Sequence, residues 1–416
     1  MALRNDCFAL PAGVEWTPVD EALGLLRERM EPVTEIERVQ LNDASGRILA
    51  KDIAAQSSTP PADNSAVDGY ALAADGLSPV GEQSLMLLEG RAAAGSPFDR
   101  TVPPSSAVRI LTGAVMPEGT DSVVMDEDVD IVGKTIRFGS GLRHGANRRK
   151  AGEDIAAGEI ALKAGLKLGA ADLAQAASVG VGMLSVRKRL RVAVLSTGDE
   201  LRAPSDPLKA GQIYDANKPM LASMLRTLGF EVVDLGIIQD DPALLQDALQ
   251  RGANEADAIV TSGGASAGDE DHLSRMLGEL GTRHLWRIAV KPGRPMALGQ
   301  IERVPVFGLP GNPVAAYVCF IYFARLALLR MAGADWSEPA GYPLISAFHA
   351  KKKPGRTELL RGRVNADGQV EKFGSDGSGL ISGLRWSDGL IKLDHARGPV
   401  EPGETVSFIP YSAFGT

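Results

Sequence analysis

The sequence predicts a multidomain chain of the α/β plus β class. It has a central doubly wound α/β domain, a β-rich second domain, a discontinuous helical and extended linker domain, and a small C-terminal β-barrel. Three observations predict this. Between residues 190 and 335, strand-like and helix-like segments alternate, which implies right-handed crossovers and a largely parallel sheet. From 57 to 140 the chain is rich in Gly, Pro and short β-prone runs, as in a compact β domain. After Gly341 it turns β-like again, with turn signals at Asp367-Gly368, Asp376-Gly377 and Asp388-Gly389, as in a small sheet or barrel.

Taken in order, residues 15–31 read as a helix, with Leu23, Leu25, Leu26 and Met30 on its apolar side and Thr17 as N-cap. Residues 35–55 have strand character. The breaker segment Ser57–Ser65 marks a domain boundary. Strands are expected at Ser84–Leu88, Ala107–Leu111, Ser122–Met125 and Thr135–Phe138. The basic run Arg143–Lys150 reads either as a solvated loop or as an anion-attracting rim. Residues 160–182 have helical spacing and are expected to pack with the N-terminal helix. The first and second of these regions give a linker domain of 1–56 plus 141–189 and a β-rich domain of 57–140.

In 190–335, strands are expected at Arg191–Ser196, Glu231–Ile238, Ala258–Thr261, Leu285–Val290 and Val304–Leu309. Helices are expected at Lys218–Leu228, Pro242–Arg251, Glu270–Leu280 and Pro313–Met331. Residues 336–416 form the last domain, closed by a turn at Pro402-Gly403 and a strand to Phe408.

Composition bounds the function. A chain of 416 residues exceeds one ordinary core. A net charge of −8 argues against a general nucleic-acid binder. Two distant cysteines, Cys7 and Cys319, offer neither a disulfide framework nor metal-ligand spacing, and each reads as a buried or incidental thiol. The N-terminus lacks the pattern of a signal peptide, and the apolar stretch Val314–Leu329, interrupted by Arg325, fits a core helix better than a membrane span. A cytoplasmic location is expected.

Four polar clusters each follow a predicted strand: Ser196–Glu200, Asp240-Asp241, Thr261–Asp269 and Gly308–Pro313. In an open parallel sheet the strand carboxyl ends lie side by side and form the ligand crevice. The Ser262–Asp269 loop supplies glycines that let backbone N–H groups approach a phosphate, although a tight connection reads equally well. Asp241, just before Pro242, reads as an N-cap. Glu200 and Asp240 are candidates for a metal or for proton transfer. Asp269 and Asp271 beside a phosphate site call for a divalent cation, and carboxylate oxygens suit Mg2+. Lys291-Pro292-Gly293-Arg294-Pro295 adds two cations in a rigid turn, which beside the Gly308–Pro313 loop makes an oxyanion site.

These segments, with Asp63–Ala71, Leu111–Ala114 and Gly152–Ile155, occur in one order along the chain. Together they strongly resemble the MoeA family, the molybdopterin molybdenumtransferases, also represented by the C-terminal domain of gephyrin. The resemblance runs from about residue 15 to the end. It implies an elongated homodimer of four-part subunits with a molybdopterin-binding α/β domain. It further implies Mg2+-dependent insertion of molybdenum from molybdate into adenylylated molybdopterin, with release of AMP.

By that resemblance, Thr197, Gly198 and Asp199, with Ser262, Gly263, Gly264, Ser266, Gly268 and Asp269, hold the pterin and its phosphates. Glu200, Asp240 and Asp271 govern Mg2+ and phosphoanhydride cleavage. Arg287, Lys291, Arg294, Pro310, Gly311, Asn312 and Pro313 bind substrate, with Lys291, Arg294, Pro310 and Pro313 near the dithiolene and molybdate. Asp63, Thr112 and Asp154 are second-domain contributions facing a partner subunit. Val67 departs from a frequent methionine, and Arg287 and Arg294 stand where lysine is common, exchanging a point charge for a planar fork. Arg356 matches an arginine motif of the last domain. An upstream adenylyltransferase and cofactor-receiving proteins are the expected partners, with no nucleic acid or membrane. Two other readings are weighed. A molybdopterin adenylyltransferase is usually one small domain, against which the long N-terminal region argues. A non-catalytic scaffold would have lost the pocket carboxylates, which are present.

Overall fold

The computed structural model describes residues 16–263, 272–293 and 295–415. Its centre is a six-stranded sheet. The elements are β1 (Arg191–Thr197), α1 (Asn217–Leu228), β2 (Glu231–Ile238), α2 (Pro242–Glu255), β3 (Ala258–Ser262), α3 (His272–Leu280), β4 (Gly281–Arg287), β5 (Pro295–Ile301), β6 (Val304–Leu309) and α4 (Pro313–Met331). The strand order is β2-β1-β3-β6-β5-β4. The first four of these are parallel, and β5 runs antiparallel to both β6 and β4. The sheet is therefore mixed rather than largely parallel. The expected strand Leu285–Val290 is in fact the end of β4 plus the short strand Val290–Lys291, and β5 was not foreseen.

Alternation along β1 builds both layers. Val192 and Val194 pack with Leu221, Leu225 and Phe320 on one face, and Ala193 and Leu195 pack with Leu245, Leu249 and Leu273 on the other. A strand buried on both faces reads as an unbroken apolar run because helices cover each side. Helix α4 takes a π-helical turn at Phe320–Ala324, where Arg325 Nε donates to Ile321 O at 3.1 Å. It is apolar enough to span a membrane by composition, but 83% of that window is buried inside the protein, so it is a core helix. Cys319 lies in this core, where burial pushes its thiol up to about 12, and Cys7 lies outside the described residues.

The N-terminal helix spans Val19–Arg29. Thr17 does not cap it: Pro18 holds that position, and Thr17 O instead accepts the Ala289 N–H at 2.8 Å. Its buried Val19, Leu23 and Leu26 join the α/β core beside α4. The segment 160–182 therefore does not meet this helix. It forms the strand Ile160–Leu162 and the helix Ala170–Ser178, which share a separate core with Leu49, Ile53 and Leu184. Amphipathic spacing fixes which face is buried but not against which partner.

Strand Ile36–Gln40 pairs with Met183–Arg187, and Ile53–Ala54 with Ile160–Leu162. Between these halves lies a six-stranded sheet containing all four expected strands, plus Gly69–Leu72 and Val129–Val132. The C-terminal segment forms another sheet in which Val290–Lys291, Thr357–Val364, Gly389–Leu393, Thr405–Pro410 and Tyr342–Ile345 follow in spatial order. Val370–Lys372 pairs off this path, and one bridge joins Ser346 to Val370. Gly389 opens a strand paired to Pro410 instead of a turn, and a side chain there would meet Ile409 O at 2.3 Å.

Candidate active site

Register decides what meets at the sheet edge. Thr197 lies beside Ile238, Ser196 beside Ser262, and Ser262 beside Leu309. The loops after β1, β2, β3 and β6 therefore leave from one crevice. The Gly198 N–H donates to Ile238 O at 3.1 Å, and the Gly263 N–H to Leu309 O at 3.1 Å. Gly263 has φ +94°, and a Cβ there would sit 2.6 Å from Thr197 O. Only glycine fits such a left-handed, crowded position.

The acidic residues converge as well. The Asp199 N–H donates to Asp240 Oδ2 at 3.3 Å, and the Asp240 N–H donates to Asp199 Oδ1 at 3.1 Å. The Glu200 carboxylate lies over Gly198, where a Cβ would be 2.4 Å from Oε2. Asp199 and Asp240 thus tie two loops together through reciprocal N–H-to-carboxylate bonds, and Glu200 folds back over the first of these loops. Asp241 caps α2 as expected, with Oδ1 accepting from Ala243 and Leu244 N–H at 2.7 and 3.1 Å.

Two residues that sequence reasoning passed over stand beneath the crevice. Asp215 Oδ1 accepts the Asn217 and Lys218 N–H groups at 3.0 and 3.1 Å, opening α1. Asn217 Nδ2 donates to Ser262 Oγ and to Gly311 O, each at 2.6 Å. A capping signal was legible in Asp215-Ala216-Asn217 before an amphipathic helix, but its reach to Gly311 was not. The buried oxygens Ser196 Oγ, Thr197 Oγ1, Asp215 Oδ2 and Asn217 Oδ1 have no hydrogen-bond partner among the described residues. Such groups at a strand edge fit a polar ligand.

Pro310, Gly311 and Asn312 lead from β6 into α4, with exposed Asn312 at the N-cap and Pro313 at the first turn. Lys291 ends the short strand Val290–Lys291. It is buried, and its ammonium donates to Glu358 Oε2 at 3.3 Å and Asp376 Oδ2 at 2.9 Å. It is thus tied to the C-terminal domain, in a cleft that Pro292 and Val314 also line. Arg356 shares Glu358 at 3.3 Å, and Lys372 shares Asp376 at 2.7 Å. Buried Arg361 donates to the carbonyls of Leu380, Ser375 and Gly377, which holds the Ser375–Gly377 loop in place. Lys291, Arg361 and Lys372 line this cleft with Asp376, and Arg356 and Glu358 adjoin it through Lys291, so cations outnumber carboxylates here in an acidic chain. No local pattern in the sequence signals it, because its members come from two domains.

Burial pushes the Asp376 carboxyl up, but hydrogen bonds from Lys372 and Lys291 outweigh it and hold the group below its ordinary range. A depressed carboxylate contributes stability above its unfolded pKa, about 3.9 for Asp, and loses it as pH falls through the lower folded value. Acid titration of unfolding is therefore expected to lose a component at the low-pH limb in Asp376→Asn. Identical acid limbs in the variant and the parent would refute this pairing.

Asp63, Thr112 and Asp154 stand on other elements. Asp63 Oδ1 accepts the Ala151 N–H at 2.8 Å, and its Oδ2 pairs with Arg148 at 3.4 Å. The basic run is thus partly committed to a carboxylate and is not a wholly solvated loop. Thr112 donates its hydroxyl and N–H to Asp68 Oδ1, both at 2.7 Å, which holds the Asp68 carboxyl low. Asp154, Asn64, Arg149 and Glu153 line a concavity of about 400 Å³. Arg287 ends β4, and Gly264, Ser266, Gly268, Asp269, Asp271 and Arg294 lie outside the described residues.

Comparison with known proteins finds relatives along most of the chain. Residues 17–180 match the MoeA N-terminal region (domains I and II), 193–330 a probable molybdopterin binding domain, and 343–411 the MoeA C-terminal region (domain IV). The chain is 38% identical over 401 residues to a molybdopterin molybdenumtransferase of Haemophilus influenzae, covering 95% of this chain and 98% of that one. It is 34% identical over 386 residues to molybdopterin molybdenumtransferase 2 of Mycobacterium tuberculosis, covering 88% and 95%. A molybdopterin biosynthesis MoeA protein of Pyrococcus horikoshii OT3 superposes with a TM-score of 0.83 at 28% identity, covering 95% of this chain and all of that one. The chain is an enzyme of the molybdopterin molybdenumtransferase (MoeA) family, which acts in molybdenum cofactor biosynthesis.

Proposed function

We propose that this chain inserts molybdenum from molybdate into adenylylated molybdopterin in a Mg2+-dependent reaction that releases AMP. The observation that carries the reading is the tie between the Asp199-Glu200 loop and Asp240, with hydroxyl and glycine loops at adjoining strand ends. Carboxylates clustered at a phosphate crevice repel the ligand unless a cation lies between them. Their oxygen-only donor set fits Mg2+, which binds through one or two carboxylates and substrate phosphates. Glu200, Asp240 and Asp271 would hold the ion, which when bound neutralises charge developing on the cleaved phosphoanhydride.

The protein's own groups do the positioning. The hydroxyls of Ser196 and Thr197, unpartnered among the described residues, donate to the bound phosphates. The Ser262–Asp269 and Pro310–Pro313 loops enclose the pterin and dithiolene. The positive surplus of Lys291, Arg356, Arg361 and Lys372 draws molybdate to the cleft beside the crevice. Two anions, molybdate and the substrate's phosphates, then approach each other at a tolerable Coulomb cost. Hydrolysis of the adenylate linkage drives metal insertion forward.

We assign the chain to a cytoplasmic homodimer in which Asp63, Thr112 and Asp154 face the partner subunit's α/β domain. We divide it at 1–56 plus 141–189, 57–140, 190–335 and 336–416. The pairing of 36–40 with 183–187 supports the discontinuous first unit.

The test mixes purified protein with adenylylated molybdopterin, Mg2+ and molybdate, and follows AMP and cofactor together. Glu200→Ala and Asp240→Ala are each expected to lower AMP release by about 100-fold or more with the fold intact by circular dichroism. Wild-type turnover of both variants at limiting Mg2+ would remove the metal assignment.

A further inference from the structure

Asn217 is the one described side chain that joins the loop after β3 to the loop after β6 on this side of the sheet. The residue is 7% exposed. A carboxamide nitrogen carries two hydrogens. Here one goes to Ser262 Oγ and the other to Gly311 O, both at 2.6 Å. The orientation is therefore unique, because the flipped amide would set an oxygen against the Gly311 carbonyl. Asp215, itself 2% exposed, fixes the Asn217 backbone through its cap on α1. Gly311 approaches Gly263 closely, a Cβ on Gly311 lying 3.8 Å from Gly263 Cα. The Gly263 N–H bond to Leu309 O adds a second, backbone tie between the same two loops.

We propose that Asn217 is a positioning residue: it clamps the glycine loop at Ser262-Gly263 to the Pro310-Gly311 turn and so sets the width of the substrate crevice. This rests on the proposed reading that these two loops enclose the phosphorylated pterin. The clamp touches the walls and not the reacting atoms. Its loss therefore weakens substrate binding more than it slows the chemical step.

Two substitutions separate a clamp from mere packing. Asn217→Asp keeps shape but replaces two donors by an anionic oxygen facing the Gly311 carbonyl, so the loops are pushed apart. Asn217→Ala only deletes the bridge. A clamp predicts that Asp is worse than Ala, with KM for adenylylated molybdopterin raised about tenfold or more and kcat changed by less than about threefold. A packing role predicts the reverse order, because Ala leaves the larger void, and an effect on melting temperature without one on KM.

A second readout needs no turnover. Amide hydrogen exchange at Gly263 is expected to accelerate by about tenfold or more in Asn217→Asp, with the rest of the α/β sheet unchanged. Unaltered exchange there would overturn the clamp even if activity fell. Accelerated exchange with an inactive wild-type protein would keep the clamp and discard the assigned reaction. Should Asn217→Asp not fold, Asn217→Ala carries the same exchange test.

Discussion

Gly263→Ala is expected to abolish turnover, lowering kcat/KM by about 1000-fold and stability by about 2–3 kcal/mol. The added carbon would lie 2.6 Å from Thr197 O and 2.8 Å from Thr197 Oγ1. The Thr197 hydroxyl can rotate, but its carbonyl cannot retreat, since Thr197 ends a strand paired on both sides. The backbone at φ +94° adds strain for any L side chain. Relief must come from the Gly263 loop itself, which breaks its bond to Leu309 and moves the phosphate wall. Gly311→Ala is the control. Its Cβ meets only ordinary contact at 3.8 Å, so its denaturant midpoint should stay near that of the parent. Denaturant unfolding and AMP release on the two variants check the pair. Gly263→Ala within about threefold of wild type would refute the crevice geometry.

The second large effect concerns Lys291→Met. Removing one partner of a buried ion pair leaves uncompensated charge and typically costs about 3 kcal/mol or more. Glu358, only 3% exposed, would keep Arg356, while Asp376 would keep Lys372. The loss should therefore fall at the low end, about 3 kcal/mol. Turnover should fall much further if the same cation draws in molybdate, as the proposed function has it. The double variant Lys291→Met with Glu358→Gln distinguishes the two roles. Neutralising Glu358, whose remaining partner is Arg356, should restore part of the stability and none of the turnover. Recovery of both together would show that Lys291 serves only to join the domains.

Much of this site was written in local chemistry. The four polar clusters after strands, the Asp241 cap and the glycine at 263 follow from residue type and period, and all are visible in the chain. Lys291 was foreseen as a cation near the substrate, yet its partners were not. Glu358 and Asp376 lie 67 and 85 residues away, and no pattern spans such gaps. The missed strand Pro295–Ile301 has a similar cause. It opens with proline directly after a rigid turn, so its β character comes from pairing on both sides, not from its own composition. Asn217 looked like an ordinary helix start, because a cap and a clamp use the same amide.

The sequence by itself determined the periodicities, hence the α/β centre and the β-rich flanks, and through its ordered motifs the family. Those are local properties, set by backbone preferences and by which face of each element is apolar. The tertiary structure alone decided which loops touch, that Asp199 and Asp240 exchange bonds, and that Lys291 is spent on a neighbouring domain's carboxylates. Such contacts depend on strand order and register, which arise from the packing of the whole sheet and cannot be read from any one segment.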